Sequence, residues 1–122
     1  MTIEEIEITK QTLTSSMKDY INIFKEDNRE EPYSPADANK CGVILDTYLS
    51  YLFSTKRTNK EILSQVEIVV KELNKLNEKC NYCMIETEER EQLCTIIIDA
   101  ARLCGYQFPI DDDDITFEWR EW

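Results

Sequence analysis

Three helix-start motifs constrain the fold of this chain more than any other feature of its sequence. The segments TIEE at 2–5 and TNKE at 58–61 each pair a hydroxyl cap with a glutamate three positions on. The segment SPAD at 34–37 combines a capping serine with a proline that suits the first helical position. Three helices are therefore expected to begin at these points.

Apolar residues recur at steps of three and four after each start, which is the spacing of one helix face. A fourth segment repeats the pattern and ends near Gly105, a residue suited to a left-handed helix cap. Short connections favour antiparallel neighbours. The sequence thus predicts one all-α domain over 1–122, an up-and-down four-helix bundle with helices at about 3–25, 35–53, 59–79 and 88–104 and a tail at 106–122.

The absence of histidine and the scarcity of glycine exclude many enzyme classes. Without histidine the chain cannot assemble a Ser/His/Asp triad, a Cys/His dyad or a Cys₂His₂ zinc site. Its two glycines cannot form a Walker A loop or a G-x-G-x-x-G turn. We therefore expect a protein that is not an enzyme and holds no cofactor.

Acidic residues outnumber basic ones by 25 to 14, a net charge of −11. Residues 86–122 account for −8 of it, with 11 acids and 3 bases. Such a surface repels a phosphate backbone, so no direct binding to nucleic acid is expected. The first ten residues lack the pattern of a secretory signal and no apolar run reaches 18 residues, so the sequence predicts a cytoplasmic protein without membrane contact.

Five cysteines suit reduced thiols better than a disulfide framework. The spacing of Cys80 and Cys83 is typical of zinc ligands, but Cys94 and Cys104 lie ten residues apart on one helix, about 15 Å of rise. One ion cannot reach both of those cysteines. A three-cysteine zinc site stays open as an alternative to buried and loop thiols, although we expect no metal.

The tail carries an acid run followed by aromatic residues. Asp111 to Asp114 could attract calcium, but an EF-hand beginning there would need glycine at Thr116 and glutamate at Trp122. Ile115, Trp119 and Trp122 share a helical spacing, which favours a short helix over a strand. The tryptophans either anchor the tail on the core or contact a partner, and the two roles are compatible.

The closing segment DDITFEWREW, together with a small, acidic, helical chain, resembles the immunity proteins of bacterial polymorphic and contact-dependent toxin systems. The resemblance implies a protein that binds and neutralises a cognate toxin through an acidic surface that faces a basic one. Many toxins of these systems are nucleases with basic clefts, so the resemblance includes a nuclease as the toxin. A helical adaptor or regulatory subunit without a toxin partner is the alternative. The residues we expect at the partner interface are Asp111, Asp112, Asp113, Asp114, Glu118 and Trp119.

Overall fold

The chain folds into four α-helices, which take up about two thirds of its length. The computed structural model describes residues 1–110 and 113–122, and this part contains no strand. The helices are α1 (Ile3–Glu26), α2 (Pro35–Ser54), α3 (Asn59–Lys79) and α4 (Thr87–Leu103). The all-α prediction is confirmed, and each predicted helix boundary lies within one residue of the observed one.

The capping residues identified in the sequence perform that role. The hydroxyls of Thr2, Ser34 and Thr58 each accept a hydrogen bond from the backbone N–H three positions on, at 3.2 Å in all three cases. At α4 the backbone N–H of Glu86 donates to Glu89 Oε1 at 3.1 Å. A cap of this kind stabilises a helix by about 1 kcal/mol, so these motifs fix where the helices begin.

Three helices end on a residue in the left-handed region. Gly105 has a φ of +91° after α4, as its position in the sequence predicts. Asn28 after α1 and Asn81 after α3 both have a φ of +55°. In each case the next N–H bonds back to a carbonyl five residues earlier, for example Tyr82 N–H to Asn77 O at 2.8 Å. The sequence pattern predicts the cap at Gly105 but not those at the two asparagines.

The helices pack around one apolar core with α1 between α2 and α4, and with α3 on the far side of α2. Ion pairs join α1 to α2 through Lys10 and Asp46, and α2 to α3 through Lys79 and Asp37 at 2.9 Å. Helices α3 and α4 do not pack closely on each other. The C-terminal tail contacts both and fills the seam between them.

Apolar side chains from all four helices and from the tail form the core. The hydroxyl of Tyr48, itself 2% exposed, donates to the carbonyl of Ile97 at 2.7 Å and links α2 to α4 through the interior. Within the described residues, no helix combines the length and apolar character that a membrane crossing requires.

Candidate functional site

The tail forms consecutive turns rather than a helix. The backbone N–H groups of Trp119 and Arg120 both donate to the carbonyl of Thr116, at 3.2 and 3.1 Å, so only one helical turn closes. The next helical bond, from the N–H of Glu121 to the carbonyl of Phe117, does not form, because this N–H donates to Asn74 on α3 instead. The prediction of a short helix here is wrong because a tertiary contact satisfies that backbone group.

A polar network inside the tail holds this turn in shape. Thr116 is fully buried, and its N–H donates to a carboxylate oxygen of Asp114 at 3.0 Å. Arg120 donates to the Thr116 hydroxyl at 3.1 Å and to Asp114 at 3.0 Å. Burial alone would raise the pKa of Asp114, but the bonds from Thr116 and the charge of Arg120 outweigh it and lower that pKa.

Asn74 attaches the tail to α3. Its side-chain amide donates to Trp119 O at 2.8 Å and its oxygen accepts from Glu121 N–H at 3.1 Å. The residue is 8% exposed, so both bonds are largely shielded from water. On the other side of the seam, Cys94 of α4 lies 3.6 Å from the Thr116 hydroxyl, sulfur to oxygen. Contacts with α3 on one side and with α4 on the other thus hold the tail in place.

The acidic residues predicted at the interface fall into three groups. Asp113 and Glu118 are exposed. Asp114 is partly buried and is engaged in the network with Arg120. Asp111 and Asp112 lie outside the residues that the structure describes. The structure therefore places Asp113 and Glu118 where a partner can reach them, and gives Asp114 a role within the fold as well.

In the tail, the two tryptophans are partly buried and the exposed aromatic residue is a phenylalanine. Trp119 and Trp122 are both partly buried and pack against the core, so neither ring stands free. Phe117 is 73% exposed. It lies between Ile115 and Trp119, which face inward one turn apart. Phe117 is thus an exposed residue that the predicted interface does not include, although its offset from the i, i+4 pair of Ile115 and Trp119 indicates an outward position.

A cleft of about 350 Å³ opens between the tail and the start of α3. Leu63, Tyr106 and Trp119 contribute apolar walls, and Phe117 and Glu118 lie at the same opening. An apolar hollow beside an exposed ring and exposed carboxylates has the composition of a protein-binding surface.

Several carboxylates from the last third of the chain are exposed and have no lysine or arginine within ion-pair distance in the described part of the chain. They come from the first turns of α4 and from the tail: Glu86, Glu88, Glu91, Asp113, Glu118 and Glu121. Two of the three arginines in this region are paired with their own acids, Arg102 with Asp99 and Arg120 with Asp114. The excess negative charge is therefore presented to solvent rather than neutralised internally.

The cysteines do not converge. Cys41 and Cys80 are buried, Cys83 is exposed, and all five thiols are free. Burial raises the pKa of Cys41 to about 12 and that of Cys80 to about 11, the latter with a further contribution from Asp37. Nowhere in residues 1–110 and 113–122 do three potential metal ligands meet.

No protein-family model, curated protein or solved structure matches this chain.

Proposed function

We propose that this chain is a non-catalytic binding protein that neutralises a cognate bacterial toxin through its acidic C-terminal surface. The observation that carries the proposal is the set of exposed, unpaired carboxylates in the tail and at the start of α4. A nuclease is the toxin class that such a surface complements best, because a cleft that binds a phosphate backbone is basic.

The charge of this surface is suited to rapid capture of a basic partner. Carboxylates free of internal partners attract an approaching cationic protein over roughly one Debye length, about 8 Å at physiological salt. This attraction accelerates association more than it slows dissociation. An inhibitor that must reach a toxin before the toxin reaches its target benefits from a fast on-rate.

Exposed Phe117 supplies the apolar anchor that such an interface needs. An aromatic ring surrounded by charged residues is typical of the energetic centre of an interface. Trp119 contributes the wall of the adjoining cleft while keeping part of its ring on the core. We include Asp113, Glu118 and Trp119 as contacts, with Asp114 holding the turn that presents them.

The buried ionisable groups support a role without catalysis. A thiol is nucleophilic as the thiolate, and the raised pKa values of Cys41 and Cys80 keep both protonated at neutral pH. With five free thiols, the chain also suits the reducing cytoplasm, where we propose it acts.

The proposal is tested by co-expressing the chain in a bacterial host with the product of the gene beside its own. We expect that product to be toxic alone, to be tolerated with the chain, and to form a stable complex with it. Surface plasmon resonance at several salt concentrations should show an on-rate that falls as salt rises.

Two triple variants with the same change in net charge then locate the surface. The tail variant is Asp113→Asn, Glu118→Gln and Glu121→Gln, and the matched control is Glu26→Gln, Glu30→Gln and Glu78→Gln, all at exposed positions. The tail variant should slow association at least fivefold more than the control. Equal on-rates for the two variants would show that the interface lies elsewhere on the chain. If the product of the neighbouring gene is not toxic and does not bind the chain, the adaptor alternative is favoured.

A further inference from the structure

Cys80 and Cys83 take no part in the proposed binding surface, but they lie across one tight turn at the end of α3. The N–H of Cys83 donates to the carbonyl of Cys80 at 3.1 Å. Between them, Asn81 and Tyr82 have φ values of +55° and +61°, as in a type I′ turn. A β-turn holds its first and fourth Cα atoms within about 7 Å, and a disulfide joins Cα atoms about 4.4–6.8 Å apart. The backbone therefore places these two cysteines within the range of a disulfide.

Buried contacts on both sides fix the shape of this turn. The N–H of Tyr82 donates to the carbonyl of Asn77 at 2.8 Å, and the N–H of Ile85 donates to Asn77 Oδ1 at 3.0 Å. Asn77 is buried, and Met84 and Ile85 belong to the apolar core. The turn is thus anchored to α3 before it and to the core after it, so the two cysteines stay close together.

The two side chains also lie near each other. The thiol of Cys83 donates to the carbonyl of Asn81 at 3.4 Å, so its side chain folds back over the turn. Cys80 lies at the edge of the core, beside the ion pair between Asp37 and Lys79. Burial, followed by the charge of Asp37, raises the pKa of Cys80 to about 11, and Cys83 contributes in the same direction. An electrostatic effect of one thiol on the other is expected only where the two are neighbours.

The two thiols differ in their access to solvent. Cys83 is exposed, whereas Cys80 is buried. A reagent from solution therefore meets Cys83 first, and Cys80 can react with whatever is already attached to its neighbour. An accessible thiol next to a second, resolving thiol is the arrangement of a redox-sensing pair.

We propose that Cys80 and Cys83 form a reversible redox-modification site, at which a small-molecule disulfide such as oxidised glutathione converts the two thiols into one intramolecular disulfide. The Cys83 thiolate attacks one sulfur of oxidised glutathione, and the other half leaves as a thiolate that takes up a proton. The Cys80 thiolate then attacks the Cys83 sulfur and displaces the second glutathione, which is protonated in turn. The pair loses two electrons and two protons, and one glutathione disulfide becomes two glutathione thiols.

This inference is independent of the proposed function. Disulfides of mesophilic proteins in the cytoplasm are usually transient and catalytic or redox-sensing, which fits a bond that reduced glutathione can reverse. Because the raised pKa of Cys80 keeps its thiol protonated at neutral pH, the second step is the slower one. A glutathione adduct on Cys83 should therefore precede the disulfide.

The test incubates the full chain in glutathione buffers of graded redox ratio, quenches the reaction with acid, and maps the products by peptide mass spectrometry. We expect a disulfide that joins Cys80 to Cys83, that follows a transient glutathione adduct, and that added reduced glutathione reverses. Cys83→Ser should form no intramolecular disulfide. The matched control Cys104→Ser, which changes a partly buried thiol on the other side of α4's sequence, should form the disulfide as the unchanged chain does.

A comparison with the unfolded chain separates the effect of the turn from mere closeness in sequence. In urea the turn is lost, so half oxidation of the pair should require roughly tenfold more oxidised glutathione at the same concentration of reduced glutathione. Three results would overturn the proposal: a glutathione adduct on Cys83 as the end product, a bond from Cys80 to Cys41, or equal oxidation of the folded and unfolded chains.

Discussion

Replacing Asn74 with alanine should loosen the tail by an amount that the structure allows us to estimate. The change removes two hydrogen bonds, of 2.8 and 3.1 Å, from a site that is 8% exposed. At about 1 kcal/mol each, the free energy of unfolding should fall by about 2 kcal/mol. A chain of 122 residues has an unfolding entropy of about 0.26 kcal/mol/K, so Tm should drop by about 8 °C.

The assay uses the two tryptophans, both of which lie in the tail. Because Trp119 and Trp122 are partly buried, release of the tail should shift their fluorescence to longer wavelength before the helices melt in circular dichroism. Lys75→Ala, at an exposed neighbour of Asn74 on α3, is the matched control and should leave both signals unchanged. If the Asn74 variant melts like this control, or if its fluorescence and helix signals still change together, the tail is not held in the way we describe.

Three further changes test other features. Gly42→Ala should raise Tm by about 4 °C in a thermal melt, because glycine inside a helix costs up to about 1 kcal/mol relative to alanine. The added Cβ would lie 3.5 Å from Thr14 Cγ2, an ordinary contact distance. A lower Tm would mean that this contact is too tight. Tyr82→Gly should stabilise the chain by about 1 kcal/mol in urea unfolding, since Tyr82 has a φ of +61°; an unchanged midpoint would show that this conformation is not strained. Folding lowers the pKa of Asp114, so the unfolded chain binds an extra proton and the free energy of unfolding should fall as pH drops below about 4. In pH-dependent melts, Asp114→Asn should make this fall in stability less steep. An equally steep fall in the variant would count against the network.

The sequence predicts the helices well because their signals are local. A hydroxyl cap and an acid three residues later interact across one turn, and the apolar spacing of α3 follows directly from the helical repeat. The helix ends at Asn28 and Asn81 are not predicted, because asparagine is also an ordinary surface residue and only the left-handed backbone distinguishes these two. The ends of helices therefore carry a weaker signal than their starts.

The candidate surface was harder to predict because it depends on contacts far apart in sequence. Asn74 lies 45 residues from Trp119, and no periodicity in either segment indicates that they meet. Charge is the exception: the acidity of the last third is visible in the sequence, and the structure adds which carboxylates remain unpaired.

A turn rather than a fifth helix fills the seam between α3 and α4. The residues that hold the tail on the core and the residues that are exposed are therefore direct neighbours in the sequence. Ile115 and Thr116 are buried, whereas Phe117 and Glu118 are exposed immediately after them. Exchanging the outer pair leaves the inner pair and the Asn74 bonds in place. Substitution at these two adjacent exposed positions can therefore change the surface of the tail without repacking of the bundle.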